Sequence, residues 1–150
     1  MPGASARPAA EPDVTAIAAL REAALAELAG LRGGDRYPAR PLPTPGDPAR
    51  PLWVGELAGA VVGYLAASVA GSAGTIEAVY VDPGCRAVGV GQAMTELALA
   101  WFAEAGCTGV DALSLPGARA TKNFFEDNGF TARLLVVHRR LAGGGRPAPG

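Results

Sequence analysis

The sequence predicts one α/β domain: a mixed, mostly antiparallel sheet flanked by helices. Three extended runs follow one another between residues 52 and 81 with only short turns between them, the way antiparallel neighbours are joined. Over Gly91–Ala105 the apolar period then lengthens from two to between three and four, which marks a helix after a strand. From there to Leu141 the runs alternate as strand, helix, strand, helix, strand, so the sheet is expected to be mixed.

Asp13 precedes a stripe of Ile17, Leu20, Ala24, Leu28 and Leu31 and is expected to cap a helix that stops near Gly33-Gly34. Arg32–Pro51 holds six prolines, which deny it helix and interior strand, so it reads as a long surface loop. Leu52–Leu57 and Val61–Val69 form a hairpin around Ala58-Gly59-Ala60, and Thr75–Val81 adds a third strand closed by Asp82-Pro83-Gly84. Val90, Met94, Leu97 and Trp101 make the stripe of a second helix, with Gly106 as its C-terminal cap. Thr108–Leu115 is the next strand, followed by a short amphipathic helix through Asn128-Gly129 and a last strand over Phe130–Leu141. Residues 1–6 and 142–150 have little to bury and are expected as disordered tails around a domain at 7–141.

Composition excludes several functions. The chain has 150 residues, a net charge of −1 and no block of Lys or Arg, so no nucleic-acid partner is expected. Its longest apolar stretches, such as Ala60–Ala70, fall well short of the roughly 20 residues that span a bilayer, so no membrane partner is expected either. Met1–Glu11 lacks the basic and apolar regions of a signal peptide, which points to the cytoplasm. Cys85, Cys107 and the single His138 form neither a disulfide framework nor a ligand cluster, so no metal site is expected.

The segment that carries chemistry is Val79-Tyr80-Val81-Asp82-Pro83-Gly84-Cys85-Arg86-Ala87-Val88-Gly89-Val90-Gly91. It is a strand, a tight turn, and Arg-x-x-Gly-x-Gly opening a helix. Gly89 and Gly91 let backbone approach a ligand, and the free N–H groups and positive end of the helix face an anion such as a pyrophosphate. A nucleotide-triphosphate loop would need Lys and Ser or Thr after its last glycine, where Gln92-Ala93 stand, and a dinucleotide fingerprint would need different spacing.

These residues resemble the GCN5-related N-acetyltransferase superfamily, whose loop has the form Arg/Gln-x-x-Gly-x-Gly/Ala after a strand ending in Val-Asp-Pro. Arg7–Val14 resembles the family's first strand and turn, Trp53–Tyr64 its second and third strands with Gly63 in place, and Phe124–Phe130 its closing helix and strand. The likeness spans residues 7–141 and is weakest over Arg32–Pro51. It implies a single domain of that fold in which two parallel strands, Thr75–Val81 and Thr108–Leu115, splay into a wedge for acetyl-CoA or a related acyl-CoA. Val79 and Val81 would hydrogen-bond the pantetheine arm, an N–H near Val79 or Tyr80 would stabilise the oxyanion, and Arg86, Ala87, Val88, Gly89, Val90, Gly91 and Gln92 would hold the pyrophosphate. An amine, of a small molecule or a peptide, would attack the thioester directly, and a homodimer is compatible with the family.

Glu77 lies inside the strand that leads to the wedge, and period-two alternation puts it on the face of Val79 and Val81, where it would be the base for the amine. The alternative is an exposed glutamate near a strand start. The family's tyrosine, which protonates the departing thiolate, is replaced here by Phe125, and the asparagine seven residues earlier by Ala118. Phe125 is therefore expected to be an apolar wall beside the pantetheine arm. The same replacements open a second reading, a non-catalytic acyl-CoA-binding or sensing domain of the same fold.

Overall fold

The computed structural model describes residues 3–31, 34, 40–114, 119–139 and 141. Five strands form one sheet in sequence order: β1 (Ala4–Pro8), β2 (Leu52–Leu57), β3 (Ala60–Ala70), β4 (Ala73–Val81) and β5 (Gly109–Ala112). β1 to β4 pair antiparallel, and β4 pairs with β5 in parallel. The helices are α1 (Val14–Ala29), α2 (Val90–Glu104) and α3 (Arg119–Asp127). None of the described helices is long and apolar enough to cross a membrane.

Strand alternation sorts the core into two layers. Leu52, Val54, Tyr64, Ala66 and Tyr80 face α1 and pack with Ile17 and Ala24. Trp53, Leu65, Ala67 and Ile76 face α2 and pack with Val90, Met94, Ala98 and Phe102. The ends of α2 and α3 are alike: Gly106 and Gly129 take φ of +86° and +89°, and the residues that follow them donate back to Phe102 and Phe125 carbonyls at 3.0 Å each. This is the left-handed cap that favours glycine.

The structure departs from the expected elements in four places. β1 begins at Ala4, inside the stretch expected as a tail, because residues 4–8 find a full ladder along β2. Asp13 stands at the start of α1 but does not cap it. Its carboxylate accepts from Arg7 Nη1 and Nη2 at 2.7 and 2.9 Å and from the Ala10 N–H at 2.8 Å, which ties β1 to the helix instead. α1 closes at Gly30, before the expected Gly33-Gly34, and residue 33 lies outside the described residues. The last strand is absent over Phe130–Arg139. Leu134–Val137 would need cover on both faces, and they stay 70–87% exposed because β5, only four residues long, pairs with β4 alone among the described strands. Residues 142–150, expected as a tail, lie outside the described residues.

The β2–β3 turn places Ala58 and Gly59 at φ of +52° and +83°, the positive pair that a two-residue type I′ hairpin requires. Alanine there costs about 1 kcal/mol, whereas asparagine tolerates the left-handed region. Ala58→Asn should raise the unfolding free energy by about 0.5–1 kcal/mol in a urea titration; an unchanged or lower midpoint would show that the turn is not strained.

Candidate functional site

A register shift in β4 builds the site. Ala66 pairs with Ala78 and Ala67 with Ile76, so the register skips Glu77, the extra residue of a bulge in β4. Such a bulge bends the strand and increases its twist. β4 and β5 pair only as far as Ile76 and Ala112, and past the bulge they separate.

The ladder then decides which backbone groups face the gap. In an antiparallel pair, alternate residues turn both their N–H and C=O to the partner and the intervening ones turn theirs away. The Asp82 N–H donates to the Val62 carbonyl at 2.8 Å, and Tyr80 is opposite Tyr64 in the same register. Tyr80 therefore spends its backbone on β3, while Val79 and Val81 direct theirs to the side that β5 has left. The Val81 carbonyl accepts from Arg86 Nε at 2.8 Å, consistent with that direction. Of the two N–H groups considered for the oxyanion, the one facing the opening belongs to Val79.

The loop that leaves β4 ends at the N-terminus of α2. Asp82 Oδ1 accepts from the Gly84 N–H at 2.9 Å and its carbonyl from Cys85 at 2.8 Å, which turns the chain sharply. Ala87 and Gly89 both have positive φ, +65° and +99°. The first helical bond runs from the Ala93 N–H to the Gly89 carbonyl at 3.0 Å, so the N–H groups of Val90, Gly91 and Gln92 precede any carbonyl the helix can offer. With the dipole of a 15-residue helix behind them, they make an anion site. α3 closes the other side, where a Cβ on Gly91 would stand 3.2 Å from the Phe124 ring.

All the expected site residues line one cleft of about 700 Å³ except Val88, which is exposed outside it. Their surroundings are more specific than their spacing implied. Glu77 does not share the face of Val79 and Val81, because the bulge breaks the alternation: Ile76 and Val79 both pack on the α2 side, whereas Glu77 meets Arg50 at 3.0 Å and Arg40, whose carbonyl accepts from Arg21 of α1. Burial alone would raise its carboxyl, but hydrogen bonds from Arg50 and Ser68 and the charges of Arg50 and Arg40 outweigh that and hold it below the usual range. The Tyr80 hydroxyl donates to Glu27 at 2.6 Å. Burial, then the bond to Glu27 and its charge, push that phenol up to about 12. The Arg86 side chain stacks 5.1 Å over the Tyr80 ring and reaches Glu27 at 3.1 Å.

Glu27 went unnoticed in the sequence. It lies 53 residues from Tyr80 and 59 from Arg86, so no local spacing marks it. Phe125 is 5% exposed, stacked edge-on between Phe124 and Phe130, and is an apolar wall of the cleft as its sequence context implied. Ala118 lies outside the described residues. No group of three or more metal-ligating side chains occurs among the described residues.

Comparison with known proteins agrees with this geometry. A GCN5-related N-acetyltransferase from Ralstonia eutropha JMP134 superposes with a TM-score of 0.69 at 25% identity over 94% of this chain and all of its own. The aminoglycoside N-acetyltransferase AAC(6')-Iy, solved with CoA, gives 0.70 at 15% identity over 94% of this chain and 96% of its own. The aminoglycoside 6'-N-acetyltransferase AAC(6')-IG from Acinetobacter haemolyticus gives 0.65 at 18% over 91% and 97%. No curated protein matches the sequence. The model of the acetyltransferase (GNAT) family matches residues 17–130, and on that match over most of its length the chain belongs to the GNAT family.

Proposed function

We propose that this protein is an N-acyltransferase that moves an acetyl or similar acyl group from acetyl-CoA to an amine. The observation that carries the reading is a line of backbone groups along one opening: those of Val79 and Val81 face the gap between β4 and β5, and the free N–H groups of Val90, Gly91 and Gln92 lie at its end. An extended pantetheine arm has amides to match the first, and a pyrophosphate has oxygens to match the second.

In the reaction the amine nitrogen attacks the thioester carbonyl carbon. The Val79 N–H receives the oxyanion, and the C–S bond breaks as the amide forms. Glu77, kept ionised by Arg40 and Arg50, attracts the acceptor ammonium and passes its proton toward water. Phe125 offers no hydroxyl to the leaving sulfur. A thiolate with a pKa of about 8.5 departs without strong acid assistance and takes its proton from solvent. Phe125 also favours the rival reading, a domain that binds acyl-CoA without turning it over, and turnover separates the two.

Free CoA should raise the melting temperature by mass action, and Gly89→Asp, with a carboxylate at the anion site, should abolish that rise while the protein stays folded. With acetyl-CoA and a panel of amines the wild type should release free thiol; CoA binding with no release to any amine would establish the rival, and no thermal shift at millimolar CoA would remove both. Glu77→Gln should lower turnover chiefly at low pH, where the amine is protonated, and leave CoA binding intact. An identical pH–rate profile would take Glu77 out of the mechanism.

A further inference from the structure

On the α1 side of the cleft, beyond Val79, the charge is uneven. Arg21, Arg40 and Arg50 all line this end, joined through Glu77 and the Arg40 carbonyl. Glu77 takes Arg40 and Arg50, while Arg21 reaches the Arg40 carbonyl, so among the described residues this end of the cleft carries more guanidinium than carboxylate. Among the described residues, the other cleft carboxylates are committed or remote: Glu27 is paired with Arg86 at 3.1 Å, and Asp127 sits on α3 with Phe124, at the α2 end. Arg50 is more enclosed than Arg40, with its side chain 18% exposed against 52%. Its Nη2 serves both Glu77 and the Pro41 carbonyl, yet its buried Nε has no partner, so its own contacts leave the guanidinium unsaturated. The walls around this cluster are apolar, made by Leu25 and Leu28 of α1 and Leu42 and Pro43 of the following loop.

We propose that the acceptor is an apolar α-amino acid or a close analogue: an amine that carries a carboxylate on the neighbouring carbon. The carboxylate seats on the Arg40 and Arg50 guanidinium groups, whose planar forks match it in shape and charge. The ammonium lies against Glu77, toward Val79 and the thioester, and the side chain lies on the leucine and proline wall. A polycationic acceptor is disfavoured, because it would bring further positive charge to a site that already holds an excess of it. The inference rests on the acyltransfer reading for its purpose, and it is testable without turnover.

The test is calorimetric titration of L-phenylalanine, 2-phenylethylamine and kanamycin into the protein saturated with CoA. The first two differ only by the carboxylate. L-Phenylalanine should bind at least ten-fold more tightly than either of the others, and Arg40→Gln should reduce that preference. Arg50→Leu should do the same, and because Arg40 is half exposed its variant keeps the test valid if Arg50→Leu fails to fold. Equal or tighter binding of 2-phenylethylamine or kanamycin, no measurable binding of L-phenylalanine, or a preference that survives in a folded variant would overturn the proposal. If CoA itself gives no heat, the acyltransfer reading fails separately, and the three amines are compared on the protein alone.

Discussion

The site depends on one backbone irregularity, the extra residue at Glu77 in β4. Without it, β4 would continue beside β5 in regular parallel register and its outward backbone groups would be consumed by the ladder. With it, the two strands part after Ile76 and Ala112, and one row of polar backbone groups is left facing a cleft. Unpaired edges are ordinarily a liability; here the edge is short and half-enclosed by α3 and the loop after β4, and the proposed pantetheine arm would pair with it. The same residue changes the hand of the alternation, which puts Tyr80 on the α1 side and Val79 and Val81 on the α2 side. The two sides of the cleft that the proposed reaction uses therefore meet across a single strand.

A polar edge alone would not make an anion site; the N-terminus of α2 must also be held at its end, and the core does this. Val90, Met94, Ala98 and Phe102 are at most 2% exposed, and burial of each of the larger ones contributes about 1.5–3 kcal/mol. The helix lies close enough to the sheet that a Cβ on Gly74 would stand 2.5 Å from the Phe102 ring, and one on Gly55 would stand 2.4 Å from Val90 Cγ1. Close packing of this kind fixes where the helix starts, and Gly89 at φ +99° lets the chain turn into it. The N–H groups of the first turn are thus positioned by the side chains that pack α2 on the sheet.

How much of this was legible in the sequence follows from the range of the interactions. Local signals read well: the hairpin at Ala58-Gly59, the glycine ends of α2 and α3, and the loop from Val79 to Gly91 all depend on a few neighbouring residues. The bulge was not legible, because Thr75–Val81 carries the same residue types with or without an extra position, and so Glu77 was placed on the wrong face. Glu27 and the Arg40–Arg50 pair became visible only when the fold brought together residues 27 to 59 positions apart. The strand expected at Phe130–Leu141 failed for a related reason: a run of β-branched and apolar residues records a propensity, but a strand needs a partner edge, and propensity does not say whether one is free.

The central claim is that the gap beside β4 and the first turn of α2 form one ligand-binding line. Titration of CoA into uniformly 15N-labelled protein, followed by amide chemical shifts, tests it most directly. The account predicts that the largest changes fall on Val79, Val81, Val90, Gly91 and Gln92, with Tyr80 moving less than its two neighbours because its N–H belongs to the β3 ladder, and with the Ala58-Gly59 turn unmoved. Saturable changes centred elsewhere on the surface, or equal changes along residues 79–81, would contradict it.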